Sequence, residues 1–172
     1  MTRFGWFFTT YFVVLAIGIA AIVHPRPRLV WNATASAPVG FYWVAASSNS
    51  PLHHGDLVLL RPDPASARLF ARRGYLPAGV PLLKRIAATA GQLVCERNGV
   101  LAIDGVHVAD ALATDHRGRP LMPWTGCRRL QPGEIFVLMR DVPASLDGRY
   151  FGPSPITSVI GRALPLWTRN GQ

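Results

Sequence analysis

Lys84 is the one lysine among the 18 lysine and arginine residues of this 172-residue chain. It lies in an apolar run, residues 81 to 88, that has the composition of a buried strand. Arginine stays protonated at any workable pH, whereas a lysine removed from water can lose its proton and act as a base. The lone lysine therefore indicates a general base, and a coding bias towards arginine is the alternative explanation.

A lysine base needs a hydroxyl to act on, and the segment of residues 32–42 supplies Ser36. Small neighbours leave this side chain open to a substrate, and Pro38 and Gly40 favour a bend before the first strand. In the Ser-Lys variant of the serine-protease arrangement, the neutral amine takes the hydroxyl proton. Thr34 and the backbone N–H of Ser36 could hold the oxyanion. The alternative is that Ser36 is an ordinary turn residue.

Other catalytic arrangements have less support in the sequence. His53-His54 with His107 or His116 could form a metal site, but adjacent strand residues point to opposite faces and no carboxylate stands at ligand spacing. A Ser-His-Asp hydrolase of the nucleophile-elbow type would need a Gly-x-Ser-x-Gly motif, which the sequence lacks. We predict no metal and no cofactor.

The elements that must position Ser36 and Lys84 are mainly short strands. Apolar runs between turn residues predict strands at residues 41–45, 56–60, 82–87, 92–95, 101–103, 134–139 and 159–167. Asn98-Gly99 and Asp104-Gly105 have the chemistry of tight hairpin turns. The predicted fold is therefore mainly β, an antiparallel sheet or barrel.

A helix is predicted at residues 65–73, with Asp63 as its cap, Pro64 in its first turn and Gly74 at its end. Residues 29–38 are predicted to be a short connector without a strand.

An uncharged run at residues 4 to 23 precedes these elements. About 20 residues cross a hydrocarbon core of about 30 Å, so the run predicts a membrane-spanning helix. The Pro- and Arg-containing segment 24–28 ends it. A cleaved secretory signal is the alternative, but its apolar region is shorter and ends in an Ala-x-Ala-like site. We predict an uncleaved anchor at residues 1–28 and a catalytic domain at residues 29–172.

The chain has two cysteines, Cys95 and Cys127, without the nearby partners of a zinc site. They would pair as a disulfide in an oxidising compartment, and two unrelated thiols are the alternative. The net charge of +9 comes from arginines spread along the chain rather than clustered. Binding to anionic lipid head groups or general solubility explains this charge at least as well as binding to nucleic acid, which we do not predict.

Four sequence motifs, in order, resemble those of the type I signal peptidase family (peptidase S26), most of all its conjugal-transfer, TraF-type branch. The motifs are Ser36-x-Pro38-x-Gly40-x-Tyr42, Lys84-Arg85-Ile86-(x)4-Gly91, Gly133-Glu134-x-Phe136-Val137-Leu138-(x)6-Ser145-x-Asp147-x-Arg149-Tyr150-Phe151-Gly152 and Ile160-Gly161-Arg162-Ala163.

The resemblance implies a β-rich, signal-peptidase-like catalytic domain on the periplasmic side of the inner membrane, with Ser36 as nucleophile and Lys84 as general base. The remaining matched positions imply an oxyanion donor, an orienting hydroxyl, a supporting charged pair and a disulfide: Thr34, Ser145, Asp147 with Arg149, and Cys95 with Cys127.

The function implied is a serine endopeptidase that processes a secreted or pilin precursor for conjugative transfer. Its partners would be the precursor, inner-membrane lipid and other conjugative transfer proteins. An acyl-enzyme could be released by water or by an amine of the same chain, which closes the pilin into a ring. Two alternatives are a general preprotein signal peptidase and a non-catalytic, membrane-anchored β-domain of a secretion or conjugation complex.

The sequence departs from the general preprotein enzymes at several motif positions. The departures are Ala37 directly before Pro38, Ala88, Ala90, Met139-Arg140-Asp141 and Gly148. They favour a dedicated substrate over general preprotein processing.

Overall fold

The N-terminal apolar run forms a helix that is separate from the β-rich remainder. The computed structural model describes residues 3–22, 29–46 and 51–169. Helix α1, Arg3–Ile22, is apolar and long enough to cross a membrane, and the window that meets this test is not buried by the rest of the protein. The predicted end of this helix at residues 24–28 lies outside the described residues.

The described strands form two antiparallel sheets. A seven-stranded sheet has the order β1-β2-β11-β3-β4-β9-β10, and a four-stranded sheet has the order β7-β6-β5-β8. The strands are β1 Leu29–Asn32, β2 Val39–Ala46, β3 Leu57–Leu60, β4 Leu82–Ala88, β5 Leu93–Arg97, β6 Val100–Ile103, β7 Val106–Asp110, β8 Gly126–Arg129, β9 Glu134–Val137, β10 Ser154–Pro155 and β11 Val159–Arg169. The prediction of a mainly antiparallel β fold is confirmed.

The predicted connector at residues 29–38 is wrong in its first half. Residues 29–32 form β1, which pairs with β2 so that Leu29 faces Trp43 and Asn32 faces Gly40. Four residues with a polar end give too short an alternation to predict a strand from sequence. The pairing places Ser36 in the tight link between two strands.

Both predicted hairpin turns occur in the four-stranded sheet. Asn98 and Asp104 adopt the left-handed conformation, with φ of 56° and 51°, and a glycine of positive φ follows each. This is the geometry of a two-residue hairpin turn whose twist matches its strands.

Two short helices accompany the strands. Helix α2, Pro64–Arg72, is capped by Asp63, whose carboxylate accepts from the backbone N–H groups of Ala65 and Ser66 at 2.9 and 3.0 Å. This agrees with the predicted start. Helix α3, Gly148–Phe151, begins after Asp147, which accepts from the Arg149 backbone. It lies within the third motif.

The centre of the seven-stranded sheet is buried on both faces. All four residues of β3 are buried, and alternate ones belong to two different apolar clusters. Lys84 follows on the adjacent β4, where it faces Val58 of β3. Strand alternation places it on the same face as Leu82 and Ile86, which are both buried.

Candidate active site

Lys84 is buried at the centre of the sheet, with 2% of its surface exposed. Its Nζ atom donates a hydrogen bond to Ser145 Oγ at 2.7 Å. Burial lowers the pKa of Lys84 from 10.5 to about 8; the Asp147 carboxylate opposes this shift and Arg149 adds to it. At pH 7 about one tenth of the amine is therefore neutral, far more than for a lysine of ordinary pKa, and a general base acts in this form.

Ser36 lies in the link between β1 and β2 and is half-buried. Its Oγ atom is 3.0 Å from Thr34 Oγ1, which in turn lies 2.9 Å from Asn32 Oδ1. A threonine hydroxyl has one proton, so when Thr34 donates to Asn32 it accepts from Ser36. The three side chains form one hydrogen-bonded row.

Asn32 shapes this link, and the motif comparison missed it. Its side-chain amide is buried and donates to the backbone carbonyls of Thr34, Ala37 and Pro38 at 2.9, 2.9 and 3.1 Å. The Tyr42 hydroxyl donates to the Pro38 carbonyl at 2.6 Å. These bonds replace a regular strand ladder and hold the link in one shape. The signal in the sequence that could have identified Asn32 is a polar residue at an inward-facing strand position, next to a link that contains Pro38 and Gly40.

The link also needs a close backbone approach at Gly40. A Cβ atom on this residue would lie 2.1 Å from the Trp167 carbonyl oxygen of β11. Contacts that short do not occur in proteins, so only glycine lets β2 and β11 pack here. This accounts for the glycine of the first motif.

Ser36 and Lys84 line the same cavity of about 610 Å³, together with Thr34 and Ser145. Among the described hydrogen bonds, Ser36 and Lys84 do not bond to each other. Ser36 bonds to Thr34, and Lys84 bonds to Ser145. Catalytic hydrogen bonds are often loose until substrate binds, so this arrangement is compatible with proton transfer between them. The structure thus brings together four of the predicted site residues.

Asp147 and Arg149 form a buried ion pair behind the cavity. The Arg149 Nε to Asp147 Oδ1 distance is 2.9 Å, and their side chains are 1% and 0% exposed. Arg149 also donates to the backbone carbonyls of Ser145, Val142 and Asp110 at 3.1, 2.9 and 3.1 Å. Because every one of these bonds fixes backbone, the pair positions the Ser145 loop rather than facing the cavity.

Gly148, one of the departures from the general preprotein enzymes, has a steric reason in this fold. A Cβ atom there would lie 2.6 Å from the Val137 carbonyl oxygen and 2.7 Å from the Phe136 ring. In this chain the start of α3 therefore packs against β9 too closely for any side chain.

The remaining predicted residues lie outside this group. Cys95 and Cys127 form a disulfide that links β5 to β8 in the four-stranded sheet. His107 pairs with Asp110 at 2.9 Å, and His53 lies 4.0 Å from Asp56. In the part of the chain that the structure describes, no group of three or more His, Cys, Asp and Glu side chains is placed to hold a metal.

The comparison with known proteins identifies the family of this chain. Residues 1–167 match the family described as signal peptidase, peptidase S26, and the chain belongs to that family. It is 37% identical to the conjugal transfer protein TraF of Agrobacterium fabrum over an alignment 172 positions long that covers 91% of this chain and 96% of that protein. It is 32% identical to a plasmid transfer protein TraF of Escherichia coli, with 92% and 96% covered.

A solved structure is also similar. A signal peptidase I from Enterococcus faecalis V583 matches with a TM-score of 0.41 and 22% identity, over 67% of this chain and 98% of that one.

Proposed function

We propose that this protein is a membrane-anchored Ser/Lys endopeptidase that processes a pilin or other secreted precursor for conjugative transfer. The observation that carries the proposal is the shared cavity, in which the buried Lys84 amine and the half-buried Ser36 hydroxyl both lie. Membership of peptidase S26 supports the reaction type, and the relatives named as conjugal transfer proteins support the biological setting.

In the first step, Ser36 Oγ attacks the carbonyl carbon of the scissile bond while its proton passes to Lys84 Nζ. The negative charge that develops on the carbonyl oxygen is held by the Ser36 backbone N–H and by the Thr34 hydroxyl, which turns its one proton from Asn32 Oδ1 towards that oxygen. Collapse breaks the C–N bond, and Lys84 returns the proton to the departing amine. The product is an ester between Ser36 and the new carboxyl end.

In the second step, neutral Lys84 removes a proton from the group that attacks this ester. Water gives a free carboxylate and restores Ser36. A free amine of the same peptide chain gives an amide, and so a ring. Ser145 accepts from Lys84 at 2.7 Å and keeps the amine pointed at the reacting atoms in both steps.

An exposed aromatic face supports attachment to the membrane surface. We define it as Leu29, Trp31, Phe41, Trp43 and Trp167, each between 42% and 55% exposed. They are neighbours on β1, β2 and β11, and the Trp31 ring lies 4.7 Å from the Phe41 ring and 6.2 Å from the Trp167 ring. Aromatic side chains concentrate at membrane–water interfaces.

The aromatic face begins close to the anchor in sequence. Residues 23–28 separate α1 from Leu29, a span of at most about 25 Å when fully extended. The disulfide fits an oxidising compartment. We therefore place residues 1–28 as the anchor in the inner membrane and residues 29–172 on its periplasmic surface.

The test is processing of the pilin precursor by the full-length enzyme in membrane vesicles. We expect the wild type to shorten the precursor and Ser36→Ala to leave it intact, with both proteins equally folded by circular dichroism. Mass spectrometry identifies the acceptor, because the cyclic product is lighter than the hydrolysed one by one water. Equal processing by wild type and Ser36→Ala would overturn the proposal.

The same assay separates the two alternatives. A non-catalytic β-domain would leave the precursor intact in every variant. A general preprotein peptidase would process unrelated exported precursors as readily as the pilin.

A further inference from the structure

One wall of the cavity that contains Ser36 is built by a small hairpin, residues 113–121. Its arms are joined by the backbone bonds Leu121 N to Ala113 O at 2.8 Å and Asp115 N to Arg119 O at 2.9 Å. The turn closes with Gly118 N donating to Asp115 O at 2.9 Å. Three consecutive turn residues, Asp115, His116 and Arg117, line the cavity.

Asp115 holds this turn in one shape. Its carboxylate accepts from the backbone N–H groups of Arg117 and Arg119, both at 2.9 Å, and from Arg119 Nε at 2.7 Å. It also accepts from the Tyr75 hydroxyl at 2.5 Å. Desolvation raises the pKa of Asp115, but these hydrogen bonds outweigh it and hold the pKa well below its usual range.

Further contacts tie the hairpin to the segment that leads from α2 to β4. Arg73 donates to the Pro120 carbonyl at 2.8 Å, and Arg119 donates to the Arg73 carbonyl at 3.1 Å. The Arg119 guanidinium lies over the Tyr75 ring, 4.9 Å from its centre. These contacts hold the hairpin in a fixed position against that segment.

Arg117 differs from its neighbours in this wall. Asp115 and Arg119 neutralise one another, whereas the described hydrogen bonds of Arg117 involve only its backbone N–H. Arg117 is exposed, lines the cavity and makes no ion pair with a described residue. Among the described residues of the lining, the only other Lys or Arg is Lys84, which acts as a base when neutral. The wall therefore carries one uncompensated positive charge with five donors in a planar fork.

We propose that Arg117 binds a carboxylate of the peptide substrate and so selects precursors with an acidic group beside the cleavage site. This inference rests on the proposed function. A guanidinium matches a carboxylate with two parallel hydrogen bonds, which gives direction as well as charge. The His116 imidazole, on the same turn, can add a further hydrogen bond.

The test uses the full-length enzyme in detergent and a blocked peptide that spans the processing site of the pilin precursor. Every acidic residue is first replaced by its amide, and a single glutamate is then restored at each position in turn. We expect one position at which glutamate raises kcat/KM by about five-fold, the upper end for an ion pair at an accessible site. A second series with a free C-terminus distinguishes a side-chain carboxylate from a terminal one.

Variants assign the preference to Arg117. We expect Arg117→Gln to lose the preference for glutamate, measured as the ratio of kcat/KM for the glutamate peptide to kcat/KM for the all-amide peptide, and Arg117→Lys to keep part of it. Arg97→Gln, an exposed arginine at the end of β5, is the matched control and should keep all of it. The Asp115 bonds to this turn use backbone and Arg119 atoms, so these changes leave the hairpin intact.

Two results would overturn the inference alone: a wild type without a glutamate preference at any position, or an equal preference in Arg117→Gln. A wild type that cleaves neither precursor nor peptide would instead overturn the proposed function, and this inference with it.

Discussion

Lys84 Nζ and Ser145 Oγ lie 2.7 Å apart although 61 positions separate the two residues in the sequence. Lys84 is fixed by β4, in the middle of the sheet, whereas Ser145 lies in the loop before α3. That loop is held by Arg149, which donates to the Ser145 carbonyl from within the buried ion pair. The direction of the amine is therefore set by a buried ion pair, Asp147 with Arg149, that does not line the cavity.

Removal of the Ser145 hydroxyl should lower kcat without abolishing activity. In Ser145→Ala the Lys84 amine loses its hydrogen-bond partner and samples positions that do not reach Ser36. Misplacement of a catalytic group by about 1 Å can cost about 100-fold, and we expect a loss of up to this size in kcat with little change in KM. Single-turnover processing measures it. An unchanged kcat would show that Ser145 does not orient the lysine.

The pH dependence of kcat/KM should report the Lys84 pKa. Because the amine acts only when neutral, activity should rise with pH and level off above about 8, the pKa that burial gives this lysine. Below that value it should fall about ten-fold per pH unit. Lys84→Arg keeps the positive charge but supplies no neutral amine, so it should be inactive at every pH. Activity in that variant, or a flat profile, would contradict the general-base role.

Lys84 should also cost stability. Its folded pKa of about 8 lies below the ordinary value of 10.5, so the unfolded chain binds more protons between these values. The stability of the wild type should therefore rise with pH across this window, and the penalty should be fully present below about pH 8. We expect Lys84→Met to raise the free energy of unfolding at pH 7 by up to about 3 kcal/mol.

Chemical denaturation of both proteins at several pH values measures this difference. The gap should shrink as the pH increases from about 8 to 10.5. A methionine variant that is less stable at pH 7, with a gap that does not change with pH, would show that Lys84 is not destabilising when charged.

The Thr34 hydroxyl should stabilise the transition state of the reaction more than it stabilises bound substrate. Thr34→Val keeps the shape of the side chain but removes the hydroxyl that lies 3.0 Å from Ser36 Oγ. The loss of one oxyanion donor typically costs about 2.7–4 kcal/mol, so we expect kcat to fall by about 100- to 1000-fold with KM nearly unchanged. Thr34→Ser should retain most of the activity. Equal losses in both variants would point to packing rather than to the hydroxyl.

Much of this fold could be predicted from sequence because its strands are short apolar runs between strong turn signals. Strands β7 and β8 escaped prediction because their burial pattern does not alternate cleanly, and all four residues of β8 are exposed. Strand β1 was not predicted because its extended conformation depends on pairing with β2 more than on its own residues. Tertiary pairing decided these strands.

The site residues whose roles follow from their chemical groups and their order in a motif were predictable from sequence. Those whose roles depend on their position in the fold were less so. Ser36 and Lys84 follow from residue type and order. The roles of Asn32 and Arg117 depend on their positions in the β1–β2 link and in the hairpin. In the sequence they are an ordinary asparagine and one of seventeen arginines. The residues that surround them are known only from the three-dimensional structure.

The aromatic face should contact lipid in the intact protein. Single-tryptophan variants, with the other tryptophans changed to phenylalanine, can be reconstituted in vesicles that contain brominated lipids. We expect quenching at Trp31 and Trp167, which are 48% and 54% exposed on the face that follows the anchor. Trp124 is half-buried against the core of the four-stranded sheet and should be quenched much less.

A functional consequence should accompany this contact. Trp43→Ser together with Trp167→Ser should slow the processing of a precursor embedded in the same vesicles, because the domain would no longer be held at the depth of the cleavage site. Cleavage of a water-soluble peptide should not change, since neither tryptophan lines the cavity. Equal quenching of Trp31 and Trp124, or equal slowing of both substrates, would show that the face does not rest on the membrane.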